Sequence, residues 1–145
     1  MKISTKGRYA LRVMVDLAEQ EKDRYVSLKE ISERQEISMK YLEMIIGMLS
    51  RAGYVLSLRG KNGGYKLARK PEEYTVGSIL KLTEGSLAPV ACLDCGAKKC
   101  SRAEYCKTLP MWKKLDQLID NYFESITIDD LIKGRVEAIY SDYVI

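Results

Sequence analysis

Histidine is absent from all 145 residues, and cysteine occurs only at Cys92, Cys95, Cys100 and Cys106, inside one polar stretch. Without histidine the chain lacks the commonest general acid–base residue and the imidazole ligand of mixed zinc sites. No serine or cysteine stands in a recognisable nucleophile motif, so an enzyme is not expected. Long apolar runs are missing too: nothing approaches the roughly 18 uninterrupted apolar residues of a membrane span. The opening "MKISTKGRYALRVMVDLAEQ" carries charges throughout instead of the apolar centre of a secretory signal. These absences lead to the expectation of a cytoplasmic protein with no membrane partner, whose thiols stay reduced and whose clustered cysteines bind metal or sense redox state. Internal repeats and low-complexity tracts are absent as well.

What is present is an ordinary globular composition, 46% hydrophobic and 30% charged. This fits one domain, or a small domain with an oligomerisation helix. A chain of this length buries roughly 68–70% of its unfolded surface, so no disulfide staple is required. The formal charge of +4 is unevenly spread: residues 1–75 hold 15 Lys/Arg against 10 Asp/Glu, and residues 76–145 hold nine against ten. The basic excess of the first half suits a polyanionic partner, although a solvated surface gives such an imbalance as well.

Apolar Leu11, Met14, Val15 and Ala18 recur at helical spacing from residue 5 to about 21. In "SLKE", Ser27 can cap a second, short helix while Glu30 reaches back to complete a capping box. That helix carries Leu28 and Ile31 inward and ends near Gln35. After a brief turn Ser38 can cap a third helix, "MKYLEMIIGMLSRA", closed by Gly53 and turning Leu42, Ile45, Ile46 and Leu49 inward. Two helices joined by so short a turn form a helix-turn-helix. The period then changes to two: "YVLSL" and "YKLA" read as strands flanking "RGKNGG", where Asn62-Gly63 is a hairpin signal because both residues tolerate positive φ. A basic hairpin in this place is the wing of a winged helix. Pro71 breaks the chain, and "TVGSILKLTEG" reads as a fourth helix ending at Gly85.

Beyond the cysteines, Trp112, Leu115, Leu118, Ile119, Tyr122, Phe123 and Ile126 form an apolar stripe on a long helix. So many large apolar residues point to self-association, or else to packing on the parent domain. Thr127, with Asp129 and Asp130 behind it, would start a last helix running through "LIKGRVEAIY". The expected architecture is mainly α with a small β-hairpin, a winged helix-turn-helix domain plus a long dimerisation helix. The expected divisions are 1–85 for DNA binding, 86–108 for a cysteine-bearing cluster-binding loop, and 109–145 for the dimerisation and C-terminal helices.

A helix-turn-helix presents the start of its second helix to the major groove. Here that is Ser38, Met39, Lys40, Tyr41 and Glu43. Lys40 can meet a phosphate or a guanine edge, and Glu43 can accept from cytosine N4 while repelling phosphate, so Glu43 bears on selectivity and not on affinity; equally it can be a solvated helix charge. In the wing, Arg59, Lys61 and Asn62 surround a bend kept narrow by Gly60, Gly63 and Gly64, a shape suited to a narrow minor groove. Thr5, Lys6 and Arg8 could hold phosphates that fix register.

The cysteine spacing, Cys-x2-Cys-x4-Cys-x5-Cys, has one knuckle where structural zinc sites pair two or add histidine. Zinc stays open, and so does an iron–sulfur cluster, which thiolates on an unevenly spaced segment can wrap. Lys98, Lys99, Arg102 and Lys107 interleave with the cysteines and favour the thiolate form. "DCGAKKCSRAEYCK" is too polar to be a core segment.

Together, "MKISTKGRYAL", "YLE" at 41–43, "RGKNGGYKLA" and the segment ending in "CKTLPMW" resemble the iron–sulfur-cluster regulator (IscR) family of winged-helix transcription factors, over essentially the whole chain. The Arg-Gly-x-x-Gly-Gly-Tyr wing is the most specific part of the likeness. The resemblance implies a homodimer joined through the long helix, acting as a transcriptional repressor or regulator on palindromic double-stranded promoter DNA. It also implies an iron–sulfur cluster, 2Fe–2S in preference to 4Fe–4S, and control of cluster-biogenesis genes. The family's three cysteines map onto Cys92, Cys100 and Cys106. Where the family has a histidine three residues after the last cysteine this chain has Leu109, so Cys95 stands as the candidate fourth ligand unless an exogenous group completes the site. The nitric-oxide-sensing branch, similar to NsrR, takes an acidic ligand from the first helix, where this chain has Arg8. The cysteine-metabolism branch, similar to CymR, lacks the cluster cysteines. An all-thiolate site would be more electron-rich than a histidine-ligated one and less responsive to pH near neutrality.

Overall fold

The computed structural model describes residues 2–94 and 96–141. The chain runs α1 (Thr5–Ala18), α2 (Leu28–Gln35), α3 (Met39–Arg51), β1 (Val55–Leu58), β2 (Gly64–Leu67), α4 (Val76–Glu84), α5 (Leu109–Glu124), α6 (Ile128–Ile132) and α7 (Val136–Ser141), with short 3₁₀ turns at Pro71–Glu73 and Ala91–Leu93. Helix starts are set by side-chain caps. Ser4, Ser27, Ser38 and Thr75 each accept a hydrogen bond from the backbone N–H three residues on, worth about 1 kcal/mol apiece.

Helix α1 is the central element, packed against α2, α3, α4, α6 and β2. Its buried face is Ala10, Val13, Met14 and Leu17; Leu11, Val15 and Ala18 are half-buried against the rim of the same cluster. The expected stripe was therefore rotated from the true one, because a helix covered on several sides shows less contrast between faces. In α3 the four expected inward residues, Leu42, Ile45, Ile46 and Leu49, are all buried. Each such side chain contributes about 1.5–3 kcal/mol by leaving water. With Val26, Ile31, Val55, Tyr74, Ile79 and Ile128 they form one continuous core.

The strands pair antiparallel, Val55 opposite Leu67 and Leu58 opposite Gly64. Val26 adds a bridge on the other side of β2, exchanging two 2.8 Å hydrogen bonds with Tyr65. Gly64, at φ 148°, allows this, since a Cβ there would overlap the Val26 carbonyl. The turn differs from the expected tight Asn-Gly hairpin. Residues 59–63 form a five-residue loop in which Gly63 N–H donates to Gly60 O at 3.0 Å, and the positive φ values fall on Gly60 and Gly64 instead of Asn62 and Gly63. A loop of this length is built around an ordinary turn and needs no mirror-image residues at its centre. Tyr74 pins the wing's base: its hydroxyl donates to Tyr54 O at 2.8 Å and accepts from Arg69 N–H at 3.0 Å.

Three other expectations need correction. The capping box at α2 is half formed: Ser27 caps, but the Glu30 carboxylate turns to Arg24 at 2.8 Å, where opposite charge competes with the backbone amide. The last helix is two, because Gly134 at φ 65° ends α6, and Arg135 folds back onto Asp129 and Asp130. Thr127 does start α6, in a full capping box with Asp130. Finally, Ile126 lies past the end of α5 and is 3% exposed, buried within its own chain against a second cluster of Val76, Leu80 and Leu87. It is not part of an outward stripe. The fold is a mainly helical winged helix with a two-stranded hairpin, followed by a long helix.

Candidate nucleic-acid interface and cysteine segment

The turn between α2 and α3 is held from behind. Asp16, 3% exposed, accepts from Arg34 Nε and Nη2 at 3.0 and 2.8 Å and from Gln35 Nε2 at 2.9 Å. Arg12 donates in turn to Gln35 Oε1 at 3.2 Å and to its carbonyl, and lies over the Tyr9 ring. Glu36, in the left-handed region at φ 54°, then reverses the chain into Ile37 and the Ser38 cap. Bidentate guanidinium–carboxylate pairing is directional, so it fixes where α3 begins. Sequence reading missed this network because its members lie 18 and 19 positions apart.

At the start of α3, Ser38, Met39, Lys40 and Glu43 are exposed. Lys40 and Glu43 have no ion-pair or hydrogen-bond partner among the described residues. Tyr41 is turned partly inward, its ring 5.5 Å from that of Tyr9 in an edge-on pair. Its body is thus a strut for the helix, whereas Lys40 and Glu43 face outward. In the wing, Arg59, Gly60, Lys61 and Asn62 are all exposed, and the side chains of Arg59, Lys61 and Asn62 make no hydrogen bond or ion pair among the described residues. Arg8 donates to Thr5 Oγ1 at 2.9 Å, so these two act as one unit at the start of α1, with Lys6 beside them. Cationic groups left unpaired on one half of a molecule are what a phosphate backbone attracts.

The second region is built differently. In residues 86–108 only Leu87 is buried among those described, and from Val90 to Leu109 the backbone hydrogen bonds of the described residues run from one residue to the carbonyl three before it, closing four-residue turns. Ser86 Oγ donates to Asp94 Oδ1 at 2.9 Å. Cys92 and Cys100 are exposed free thiols and Cys106 is a half-exposed one; Cys95 lies outside the described residues. The Cys106 thiol is held below the ordinary range chiefly by its hydrogen bond with Thr108, whose Oγ1 is 3.3 Å away, and only least by Arg102. The interleaved cations thus matter less to this thiolate than the expectation had it. No three ligating side chains converge on one point among the described residues. The donor set itself, soft thiols without imidazole, fits an iron–sulfur group.

Helix α5 follows, with no fully buried residue. Ile119, Tyr122 and Phe123 pack on the second cluster, while Leu115 and Leu118 are exposed by 38% and 53%, and Met111, which sequence reading passed over, by 55%. Trp112 is half-exposed. The stripe therefore divides into an inner part that seats the helix and an outer apolar line. Among the described residues no helix is long and apolar enough to cross a membrane.

Residues 3–134 match the Rrf2 family, described as an iron-dependent transcriptional regulator. The HTH-type transcriptional regulator IscR of Aliivibrio salmonicida is 37% identical over 132 residues, covering 91% of this chain and 77% of that one. Protein rrf2 of Nitratidesulfovibrio vulgaris is 38% identical, covering 92% and 88%. Among solved structures, IscR of T. potens superposes with a TM-score of 0.73 at 38% identity, covering 95% and 90%, and CymR, the global cysteine regulator of B. subtilis, with 0.75 at 34%, covering 92% and 98%. Likeness of this depth, running through the reading helix, the wing and the cysteine segment alike, makes the chain a member of the Rrf2 family of DNA-binding transcriptional regulators.

Proposed function

We propose that this regulator senses iron–sulfur cluster status in the cytoplasm. Cys92, Cys100 and Cys106 would hold the cluster, with Cys95 in place of the family's histidine, and 2Fe–2S is favoured over 4Fe–4S. The observation that carries the reading is the character of residues 86–108: free thiols on a segment with almost no buried side chain, leading directly from α4 into α5. When bound, such a cluster supplies a labile, redox-active crosslink between thiolates. The chain's own residues do the rest. Lys40 and Glu43 read the major groove, aided by the Ser38 cap and the Tyr41 strut. Arg59, Lys61 and Asn62, on a tip kept slim by Gly60, enter the minor groove. Thr5, Lys6 and Arg8 take phosphates. The outer line of α5, with Leu115 and Leu118, supports a homodimer on palindromic promoter DNA; Trp112, Ile119, Tyr122 and Phe123 back that helix. The genes controlled are those of iron–sulfur cluster biogenesis.

Anaerobic reconstitution with ferrous iron and sulfide, followed by absorption spectroscopy and iron and sulfide assay, tests this. Wild type is expected to be coloured, and Cys92→Ala, Cys100→Ala and Cys106→Ala each to lose the colour. Cys95→Ala decides whether the fourth ligand is sulfur. A colourless wild type would overturn the cluster and leave a second reading, a regulator using the same thiols as a redox switch or a zinc site. The exposure of Cys92 and Cys100 and the likeness to CymR favour that alternative.

A further inference from the structure

Two joints of the same construction link α4 to α1 and α5 to α4. At the first, the Glu84 carboxylate, on the last residue of α4, accepts from both the backbone N–H and the hydroxyl of Ser4, the cap of α1, at 2.7 Å each. Ser4 Oγ accepts in turn from Gly7 N–H. Gly7 is buried beneath this carboxylate, and a Cβ there would stand 2.5 Å from Glu84 Oε1. At the second, the Glu124 carboxylate, on the last residue of α5, accepts from the hydroxyl of Thr75, the cap of α4, at 3.0 Å. Thr75 Oγ1 accepts from Ser78 N–H, and buried Gly77 lies beneath, where a Cβ would overlap Glu124 Oε1. Lys81, one turn before the end of α4, braces the second joint through Asp120 and Glu124 at 2.5 and 3.1 Å.

In both, a carboxylate from the last turn of one helix sits on the positive end of the next, bonded to its cap and seated over a glycine in its first turn. Charge and helix dipole attract, and the missing Cβ lets the two helices approach without slack. The order of the joints matters: the end of α5 holds the start of α4, and the end of α4 holds the start of α1. Residues 85–108 are the covalent connection between the end of α4 and the start of α5, and the second joint is a side-chain connection between the start of α4 and the end of α5. Thr5, Lys6 and Arg8 lie in the turn that the first joint holds.

We propose that Glu84 and Glu124 are positioning residues that transmit the state of the cysteine segment through α4 to the phosphate-contacting start of α1. This rests on the sensor reading above. Coupling between sites in regulators is typically about 5- to 150-fold in affinity. The test uses full-length protein, cysteine-reconstituted with iron and sulfide or left apo, on one duplex selected by the wild type from a random pool. Glu84→Ala and Glu124→Ala are each expected to bind the cluster fully, by iron and sulfide content, yet to bring the ratio of apo to loaded affinities close to one. Glu84→Gln keeps the carbonyl acceptor for both Ser4 donors and is expected to restore much of the ratio. Amide hydrogen exchange over residues 4–8 should differ between apo and loaded wild type and no longer differ in Glu84→Ala. If the alanine variants weaken apo and loaded binding by one common factor, the joints are merely structural and the proposal is overturned. A wild type whose affinity is the same in both states overturns the sensor reading, and the relay with it; a wild-type difference that survives both alanine changes overturns the relay alone.

Discussion

The winged-helix body and the cysteine segment obey opposite rules. In the body, apolar periodicity, caps and long-range pairs agree: Leu42, Ile45 and Leu49 are wholly buried, Asp16 is fully paired, and no buried side-chain polar atom lacks a partner among the described residues. In residues 86–108, turns close locally, Tyr105 is 79% exposed, and the chemically most distinctive side chains stand in solvent. The lesson is that consistency across levels specifies one structure. Residues 86–108 lack that agreement: among the described residues only Leu87 is buried.

This contrast can be broken most forcefully through the core. Leu42→Ala should cost about 2–5 kcal/mol, the range for emptying a well-packed aliphatic site, whereas Cys100→Ala in the apo protein should fall within about 0.5 kcal/mol of wild type, as exposed substitutions do. Urea unfolding of the two variants measures both. Comparable losses would mean that the segment is part of the cooperative body after all.

A smaller effect is expected at the long-range pair. Arg34→Ala leaves the buried Asp16 carboxylate with Gln35 as its remaining partner, and removing one member of such a pair costs about 1–3 kcal/mol. Because the pair positions the turn into α3, duplex affinity should fall together with the urea midpoint. A change in stability without one in affinity would separate the turn from the reading helix.

Acid should produce the mildest effect. Asp129 is held below the ordinary carboxylate range chiefly by its hydrogen bond with Lys133 and also by Arg135, and Asp130 chiefly by the Thr127 backbone N–H. A carboxylate lowered on folding stabilises the folded state above its unfolded value, and that contribution disappears as pH falls through the lower, folded value. Melting temperature should therefore hold between pH 7 and 5 and decline only below about pH 4, where carboxylates begin to protonate. Arg135→Ala should lessen the decline. A melting temperature already falling at pH 5 would argue against this assignment.

How much could be read in advance follows the same division. The inward face of α3 was legible because one side of that helix is covered and the other is wet. The capping hydroxyls of Ser27, Ser38 and Thr127 were legible because a cap is a local matter. Pairs between distant positions were not: Asp16 with Arg34, Val26 with Tyr65, and Glu84 with Ser4 leave no periodic trace. The stripe on α5 was visible, but its division into seated and outward residues depends on α4 and Ile126, which spacing does not report. In the cysteine segment the residue types suggest thiolate chemistry, but no three ligating side chains come together among the described residues, so spacing alone gave no geometry to compare.

The Val26–Tyr65 bridge has one more implication. Val26 immediately precedes the cap of α2, and Tyr65 is the second residue of β2, so the helix-turn-helix and the wing that would grasp a duplex are joined at this bridge. On the reading proposed above, such a reader would behave like a caliper whose gap this bridge helps to set. Targets whose adjacent grooves are wrongly spaced must be bent to fit, and the stiffness of the nucleic acid then becomes part of the address that is recognised.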